Sequence, residues 1–499
     1  MLRIFTGLLV LLLFTASPAR AEWRRAESSN FVLYGNLSEA QLRQRILLLE
    51  DFDRLLRSIT TAEEPPAENK LHIYVVYGRD DLNVIRTLPP GVAGLYTATP
   101  EGIAAFVDDS QESGNFILFH EYAHHFMLQN VQNAYPAWYI EGFAEYFSTV
   151  RFTPRKIDIG NFDDGRAYAI MQQRWLPMER ILSGGPMGLS REDMSVYYAQ
   201  SWLLTHYFFS SPERYAALLR LLVALRSASP EEALRAATGF TFAQLNDELR
   251  RYIRAGRISY RQMDRASNAA APAVSITSLP RSAGDMILFE ALLRVGIGEN
   301  DVAAALPRIR AAAARHADDP LAMRVLAHAE IVYGNSAAGE RLVDRLLTQA
   351  PNDAQLLYLK GMRYLKLAES DDPPANAGRT ARTFFTRAHR ADPNHFQTLY
   401  RFAQSLRGEP AFLSENTRNV MLLARQLAPQ VSEITMNAAA LLMSRREYAE
   451  AIAYLAPLAA NPHEPGLAEA ARRMIAEARA RQQAPAGAAD EDADPPAGG

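Results

Sequence analysis

The chain has 499 residues, of which 48% are hydrophobic and 22% charged, so it is long enough to form two or three domains with sizeable cores. Its formal net charge is −3, which provides no general attraction to nucleic acid. It contains no cysteine, which excludes thiol catalysis and disulfide bonds, so a metal ion would have to be bound by His, Asp and Glu.

The N-terminus has the pattern of a signal peptide. Arg3 precedes an apolar run at 4–16, and Ala19-Arg20-Ala21 forms a cleavage site, which predicts a mature chain that starts at Glu22. The alternative is an uncleaved anchor, but the apolar run is shorter than the roughly 20 residues of a spanning helix. We therefore expect an exported protein, periplasmic or secreted, without an integral membrane span after cleavage.

Residues 22–253 are predicted to begin as a mixed α/β structure and to continue mainly as helices. β-Branched and aromatic residues predict strands at 30–35, 71–77 and 103–107, and a 3.6-residue apolar period predicts a helix at 38–59 with Ser38 as its N-cap. Beyond residue 116 the helical periodicity is clearest in four stretches: 199–209, 214–226, 230–237 and 241–253.

The segment FHEYAHHFMLQN, residues 119–130, contains the zinc motif H-E-x-x-H. On a helix His120 and His124 project from one face, one turn apart, so that both imidazoles can bind one metal ion. Glu121 reaches the same cleft, where it can accept the proton of a water molecule whose pKa a zinc ion has lowered. His125 points away from this face, which indicates a polar core residue or one that supports a ligand.

A catalytic zinc site needs a third protein ligand, and two known patterns supply one. The metzincin pattern requires Gly and His at the positions of Met127 and Asn130, so it is excluded. The segment PAWYIEGFAEYFS, residues 136–148, instead supplies Glu141, with Glu145 one turn later on the same face. Two alternatives stay open: a buried hydrogen-bonded cluster without metal, and a domain that binds metal but has no activity.

The segments LFHEYAHHF and WYIEGFAEYF resemble the gluzincin superfamily of thermolysin-like and aminopeptidase-like zinc peptidases. The resemblance implies that one Zn²⁺ per chain is bound by His120, His124 and Glu141. It also implies that Glu121 is the general base and that Glu145 orients the first histidine through its other ring nitrogen.

For residues 22–265 as a whole the resemblance implies an α+β thermolysin-like zincin domain, in which a mixed sheet is combined with the active-site helices. The segment SVYYAQSWLLTHYFF, residues 195–209, supplies the expected donor to the developing oxyanion. Tyr198 matches the tyrosine that zinc aminopeptidases carry there, although Gln200 stands where they have lysine. Tyr197 and His206 are the alternatives.

Residues 92–109 bear on the type of peptidase. Zinc aminopeptidases carry a Gly-x-Met-Glu-Asn loop that binds the free amino group of the substrate, and this region lacks it. Exopeptidase activity is therefore disfavoured. The strand predicted at 103–107 is instead expected to be an edge strand that pairs with an extended peptide, as in an endopeptidase.

The second half of the chain has a repeating pattern. After a predicted extended linker at 266–284, Asp-Pro, Ala-Pro or Asn-Pro marks recur in 285–480 at intervals of 31, 42, 36 and 33 residues, close to the 34-residue period of tetratricopeptide repeats. The longest interval contains ESDDPPANAG, which is expected to separate the two helices of one repeat. We predict an all-α tetratricopeptide-like superhelix, followed by a disordered acidic tail at 481–499.

Together these patterns predict an exported zinc metallopeptidase, with repeats that recruit a polypeptide substrate or a protein partner. The alternative is a non-catalytic, zinc-stabilised tetratricopeptide scaffold of the cell envelope. The presence of Glu121 favours the enzyme, because a scaffold has no use for a general base.

Overall fold

The computed structural model describes residues 22–62, 68–88, 92–110, 114–131, 133–161, 164–256, 260–265 and 272–483. The predicted signal peptide at 1–21 and residues 484–499 of the predicted tail lie outside this part of the chain. Residues 481–483 of the predicted tail form the end of the last helix. No helix in the described ranges is long and apolar enough to span a membrane.

The front region, residues 22–278, contains a mixed sheet and a group of helices. Its elements are β1 (Arg24–Glu27), β2 (Phe31–Gly35), α1 (Glu39–Thr60), β3 (Leu71–Val76), α2 (Arg79–Ile85), β4 (Gly94–Thr99), β5 (Gly102–Asp108), α3 (Gly114–Asn130), α4 (Ala137–Ser148), β6 (Arg151–Phe152), β7 (Lys156–Ile159), α5 (Asp164–Gln172), α6 (Met178–Ser183), α7 (Arg191–Phe209), α8 (Pro212–Ala224), α9 (Pro230–Thr238), α10 (Phe242–Arg254), β8 (Arg261–Asp264) and β9 (Ser275–Ser278).

Six strands form the main sheet in the order β4-β5-β3-β2-β1-β9, and β6, β7 and β8 form a small second sheet. β2, β3 and β5 run parallel, while β4 pairs antiparallel with β5. The prediction that 103–107 is an edge strand is wrong, because β5 lies between β3 and β4 and the edge is β4. The sequence of β4, GLYTAT, lacks the continuous apolar run that identified β2, β3 and β5.

Helix α1 begins at the predicted N-cap and supports the histidine helix α3. The Ser38 hydroxyl accepts a hydrogen bond from the Gln41 backbone, and the Gln41 side chain accepts one from the Ser38 backbone, which completes a capping box. The apolar face of α1 is buried, and Phe52 stacks on Phe119 of α3 with ring centroids 4.2 Å apart. The Tyr122 hydroxyl, within the motif itself, donates to Asp53 over 2.7 Å.

The repeat region, residues 283–483, consists of antiparallel helix pairs and a final helix. Its helices are α11 (Ala283–Val295), α12 (Val302–Ala314), α13 (Pro320–Tyr333), α14 (Ser336–Leu347), α15 (Ala354–Ala368), α16 (Ala377–Ala391), α17 (Phe396–Gln404), α18 (Glu415–Leu427), α19 (Ser432–Ser444), α20 (Tyr448–Ala460) and α21 (Pro465–Gln483). This arrangement confirms the predicted all-α repeats, and the predicted insertion lies between α15 and α16.

The proline marks of the repeats lie next to helix starts. Asp319 accepts hydrogen bonds from the backbones of Leu321 and Ala322, and Pro320 takes the first helical position of α13. Salt bridges join neighbouring helix pairs. Arg310 of α12, for example, donates to both carboxylate oxygens of Glu330 of α13, over 2.6 and 2.8 Å. The spacing of the marks therefore follows the spacing of the helix pairs.

The boundary between the two regions differs from the prediction. The predicted linker at 266–284 contains β9, which pairs with β1 from Arg24↔Ser278 to Glu27↔Ser275. One face of the sheet is buried against α1 and α3. The other carries Tyr74 and Phe106, and α11 packs on it with Phe289 and Leu293. Each region therefore has a core of its own, and a further core is formed jointly by the outer face of the sheet and the first repeats, so the two regions are packed together and not separated by a free linker.

Candidate metal centre

Helices α3 and α4 bring three of the predicted site residues together. The Nε2 atoms of His120 and His124 lie 3.1 Å apart. The Oε2 atom of Glu141 lies 3.5 Å from Nε2 of His124 and 3.9 Å from Nε2 of His120. One ligand atom from each of the three residues therefore falls within 4.8 Å of the others.

The chemistry of this ligand cluster, His120, His124 and Glu141, fits a divalent metal. Tetrahedral ligands about 2.0–2.1 Å from zinc lie about 3.3 Å from one another, close to the separations found here. Glu141 is 0% exposed, and within the described residues neither of its carboxylate oxygens makes a hydrogen bond of good geometry, although Nε2 of His463 lies 3.2 Å from Oε1. A buried carboxylate that faces two imidazoles would be costly without a cation, so the arrangement is the one expected of a metal site.

Burial sets the protonation of the cluster. It raises the pKa of the Glu141 carboxyl, an effect that His463 and Arg166 oppose. Burial also lowers the pKa of both imidazoles, and for His120 the neighbouring His124 adds to the effect. Neutral imidazole is the form of histidine that binds metals.

Glu145 lies beside the first histidine of the motif. Its Oε1 atom is 3.4 Å from Nδ1 of His120, the ring nitrogen that faces away from the cluster. Arg166 of α5 donates to both oxygens of Glu145, over 2.7 and 2.6 Å, so that the carboxylate is fixed in orientation. Sequence reasoning missed Arg166, because nothing in the sequence around it marks it as part of the site.

Gly142 allows α4 to pack closely against α7 and so places its neighbour Glu141. A Cβ atom at position 142 would lie 2.4 Å from the Ser201 carbonyl oxygen and 2.3 Å from the Thr205 hydroxyl. Both contacts are shorter than any real Cβ contact, and one of them is to backbone. The glycine of EGFAEYF is therefore required by helix packing.

Gly142→Ala should destabilise the protein by about 1–3 kcal/mol, the usual cost of an overpacked core. It should also weaken metal binding, because α4 must move and carry Glu141 with it. Chemical denaturation and zinc titration measure both effects. The matched control is Gly284→Ala on α11, where a Cβ atom would meet open space. A neutral effect of Gly142→Ala would contradict the packing argument.

Tyr198 is the candidate donor that faces the cluster. Its ring centroid lies 6.5 Å from that of His120, and the Arg166 guanidinium lies 5.3 Å from the centre of its ring. Burial, with Glu141 and Glu145 nearby, raises the pKa of the Tyr198 hydroxyl, so the hydroxyl keeps its proton. The alternatives have other partners: the Tyr197 hydroxyl donates to the Gly184 carbonyl over 2.9 Å, and His206 Nδ1 lies 2.9 Å from the Tyr252 hydroxyl.

Gln200, the residue that departs from the aminopeptidase pattern, has a structural role. Its side-chain oxygen accepts a hydrogen bond from the Leu176 backbone over 2.8 Å, and its amide donates to the Leu176 carbonyl over 3.1 Å. It is buried and joins α7 to the segment that precedes α6. Both polar groups of Gln200 are thus bonded to Leu176. The difference from the lysine of zinc aminopeptidases therefore does not involve a residue of the ligand cluster.

Glu121 and His125 connect α3 to the edge strand β4. Burial raises the pKa of the Glu121 carboxyl, while His124 and a hydrogen bond from the Tyr96 backbone oppose the increase. Nδ1 of His125 lies 3.1 Å from the Tyr96 hydroxyl, and burial lowers the pKa of this histidine to about 4. His125 is thus a buried, neutral core residue outside the ligand cluster.

A cavity of about 420 Å³ lies in front of the cluster, between β4 and the repeat region. Glu121 and His124 line its floor, and Tyr96–Thr99 of β4 line one wall. The opposite wall is formed by the last repeats, with residues that include Gln430, Thr435, Tyr454, Asn461 and Glu464. The repeats therefore cover the candidate site.

Sequence reasoning missed His463, which the repeat region brings to the cluster. Its Nε2 atom lies 3.2 Å from Oε1 of Glu141, and its ring stands steeply inclined to that of His124 with centroids 4.9 Å apart. His463 belongs to the segment NPHEP between α20 and α21. The only signal available was a histidine after the last proline mark, which by itself indicates nothing.

Comparison with known proteins adds only distant likenesses. No family model matches this chain, and no curated protein matches it significantly. Among solved structures, TTC0263, a thermophilic tetratricopeptide-repeat protein of Thermus thermophilus, is 17% identical, with 39% of this chain and 99% of that chain covered and a TM-score of 0.33. A mutant form of MamA is 14% identical, with coverages of 39% and 97% and a TM-score of 0.25. The repeat architecture is established by the helix pairs themselves.

Proposed function

We propose that this chain is an exported zinc-dependent endopeptidase of the gluzincin type. The observation that supports the proposal is the position of Glu121, which lines the cavity beside the ligand cluster, next to the sheet edge. A zinc ion bound there by His120, His124 and Glu141 would lower the pKa of a water molecule and polarise the carbonyl group of a peptide.

The residues around the cluster have distinct roles in this proposal. Glu121 accepts the proton of the attacking water and passes it to the leaving amine. Tyr198 donates a hydrogen bond to the carbonyl oxygen of the substrate as negative charge develops on it. Glu145, held by Arg166, fixes the orientation of His120 and keeps its Nε2 atom directed at the cluster.

The substrate is proposed to lie along β4. An edge strand has unpaired backbone groups on its outer side, and an extended peptide can pair with them as an additional strand. Residues Tyr96–Thr99 line the cavity, so a peptide paired with them would pass in front of Glu121 and His124. The sequence predicted this pairing with the substrate for the strand at 103–107, and we now propose it for β4.

The repeats are proposed to recruit the polypeptide substrate or a protein partner, because stacked helix pairs form extended binding surfaces. The same repeats favour a second candidate function, a non-catalytic scaffold of the cell envelope in which the metal only stabilises the fold. The two functions differ in what they require of Glu121. An enzyme needs its carboxylate and a scaffold does not.

Cleavage of an unfolded protein by the chain that starts at Glu22 tests the proposal directly. We expect cleavage by the zinc-loaded protein, its loss after treatment with a chelator, and its recovery when about one equivalent of zinc is returned. The fragments, identified by mass spectrometry, should arise from internal cuts. Zinc-loaded protein that cleaves no unfolded substrate would favour the scaffold.

A further inference from the structure

The position of His463 is not explained by the proposed catalytic roles. The residue lies in the 461–464 loop, between α20 and α21, in the last part of the repeat region. Its imidazole reaches across the cavity to the ligand cluster of the front region. The candidate site therefore includes a side chain from the part of the chain that was expected only to recruit partners.

The two carboxylate oxygens of Glu141 contact different regions of the chain, one the front region and the other the repeat region. Oε2 faces the two histidines of α3, at 3.5 and 3.9 Å, whereas Oε1 faces Nε2 of His463 at 3.2 Å. His463 also packs edge to face against His124. It thus contacts two of the three residues of the cluster, but the group of ligand atoms that lie within 4.8 Å of one another comprises only His120, His124 and Glu141, so a small rotation of the His463 ring would be needed to bring Nε2 to the same metal ion.

The 461–464 loop is held in place by its own contacts. The Asn461 side chain accepts a hydrogen bond from the His463 backbone over 3.0 Å and donates to Glu464 over 3.0 Å. Ser432 of α19 also donates to the Glu464 carboxylate. These contacts fix the conformation of the 461–464 loop and with it the position of His463 beside the ligand cluster.

We propose that His463 is a fourth, releasable protein ligand of the resting metal site. Metal sites with four protein ligands are closed, whereas catalytic zinc sites keep one position for water or substrate. His463 would occupy that position and hold the last repeats over the cavity. The His463 side chain is 45% exposed, so it can leave the cluster without disturbing a core.

This inference deepens the proposed function and rests on its metal site. The resting protein would be closed, and a substrate or partner that displaces the last repeats would remove the histidine and open the site. The ligand role itself does not depend on peptide cleavage, because a metal bound by both regions would also stabilise a scaffold. The two proposals can therefore fail separately.

The ligand role is tested by X-ray absorption spectroscopy of the zinc-loaded full chain. We expect three imidazoles around the metal in the wild type and two in His463→Ala, with weaker zinc binding in a chelator competition. His389→Ala, which removes a histidine of α16, is the matched control and should retain three. Two imidazoles in the wild type would overturn the proposal, even if His463→Ala bound zinc less tightly, because His463 would then only support Glu141.

Hydrogen exchange provides a second measurement that does not depend on activity. Zinc should protect the 461–464 loop from exchange in the wild type, and this protection should disappear in His463→Ala. Equal protection in both proteins would contradict the proposal. A wild-type chain that binds no zinc would instead refute the metal site on which both proposals rest. A third imidazole without cleavage by any variant would support His463 and refute the peptidase.

Discussion

Glu121→Gln should abolish peptide cleavage and leave the metal bound. The substitution preserves the size of the side chain and removes its ability to accept a proton. General-base catalysis contributes about 10²–10⁴-fold, so the rate of cleavage should fall by at least that factor. Zinc content should be unchanged, because Glu121 is outside the ligand cluster. The variant should still bind its substrate, which makes it a trap for identifying that substrate.

The matched control is Glu192→Gln, the same chemical change at an exposed position in the first turn of α7. It should cleave at the wild-type rate. If Glu121→Gln cleaves at the wild-type rate with zinc retained, the proposed mechanism is wrong. If it also complements a deletion strain fully, the scaffold becomes the better account of the function.

His124→Ala should remove the metal. The purified wild type is expected to contain about one zinc per chain, and the variant much less, because His120 and Glu141 alone would remain of the cluster and the releasable His463 would not replace a fixed ligand of α3. Glu141 would then be buried opposite a single imidazole of α3, which is unfavourable. Since a ligand that binds only the folded state raises its stability, zinc should increase the melting temperature of the wild type but not of the variant.

His125→Ala is the control, since it makes the same change one position further along α3. His125 contacts Tyr96 and Tyr122 and lies outside the cluster, so this variant should retain zinc even if it is less stable. Metal analysis by mass spectrometry measures both proteins. Unchanged zinc in His124→Ala would contradict the assignment of the site.

Local patterns in the sequence were sufficient for the elements that carry the site. The spacing of His120 and His124 placed them on one helical face, and the structure puts Glu141 beside them on the next helix. Ser38 was identified as an N-cap because capping depends on residues only three positions apart. The proline marks predicted the repeats for a similar reason. Each lies within three residues of the start of a helix, so it too reports local structure.

Strand β4 and the boundary between the regions could not be predicted in this way. Which strand forms an edge depends on pairing across the whole sheet, and the partly polar β4 is stabilised by its pairing with β5. β9 likewise becomes a strand only because β1 is available to pair with it. The packing of α11 on the sheet depends on the shape of an apolar face that forms only after the strands assemble.

The sequence by itself determined the candidate ligands, the helix that carries the H-E-x-x-H motif, the candidate base Glu121 and the presence of helical repeats. These depend on residue chemistry and on spacings of a few positions. Only the tertiary structure decided that Arg166 holds Glu145, that the repeats form a wall of the cavity and that His463 reaches Glu141. Such contacts join residues far apart in the chain, and no local spacing encodes them. They arise because the repeats start from α11 on one face of the sheet and continue past the edge strand β4, so that the last repeats lie beside the candidate ligands of α3 and α4.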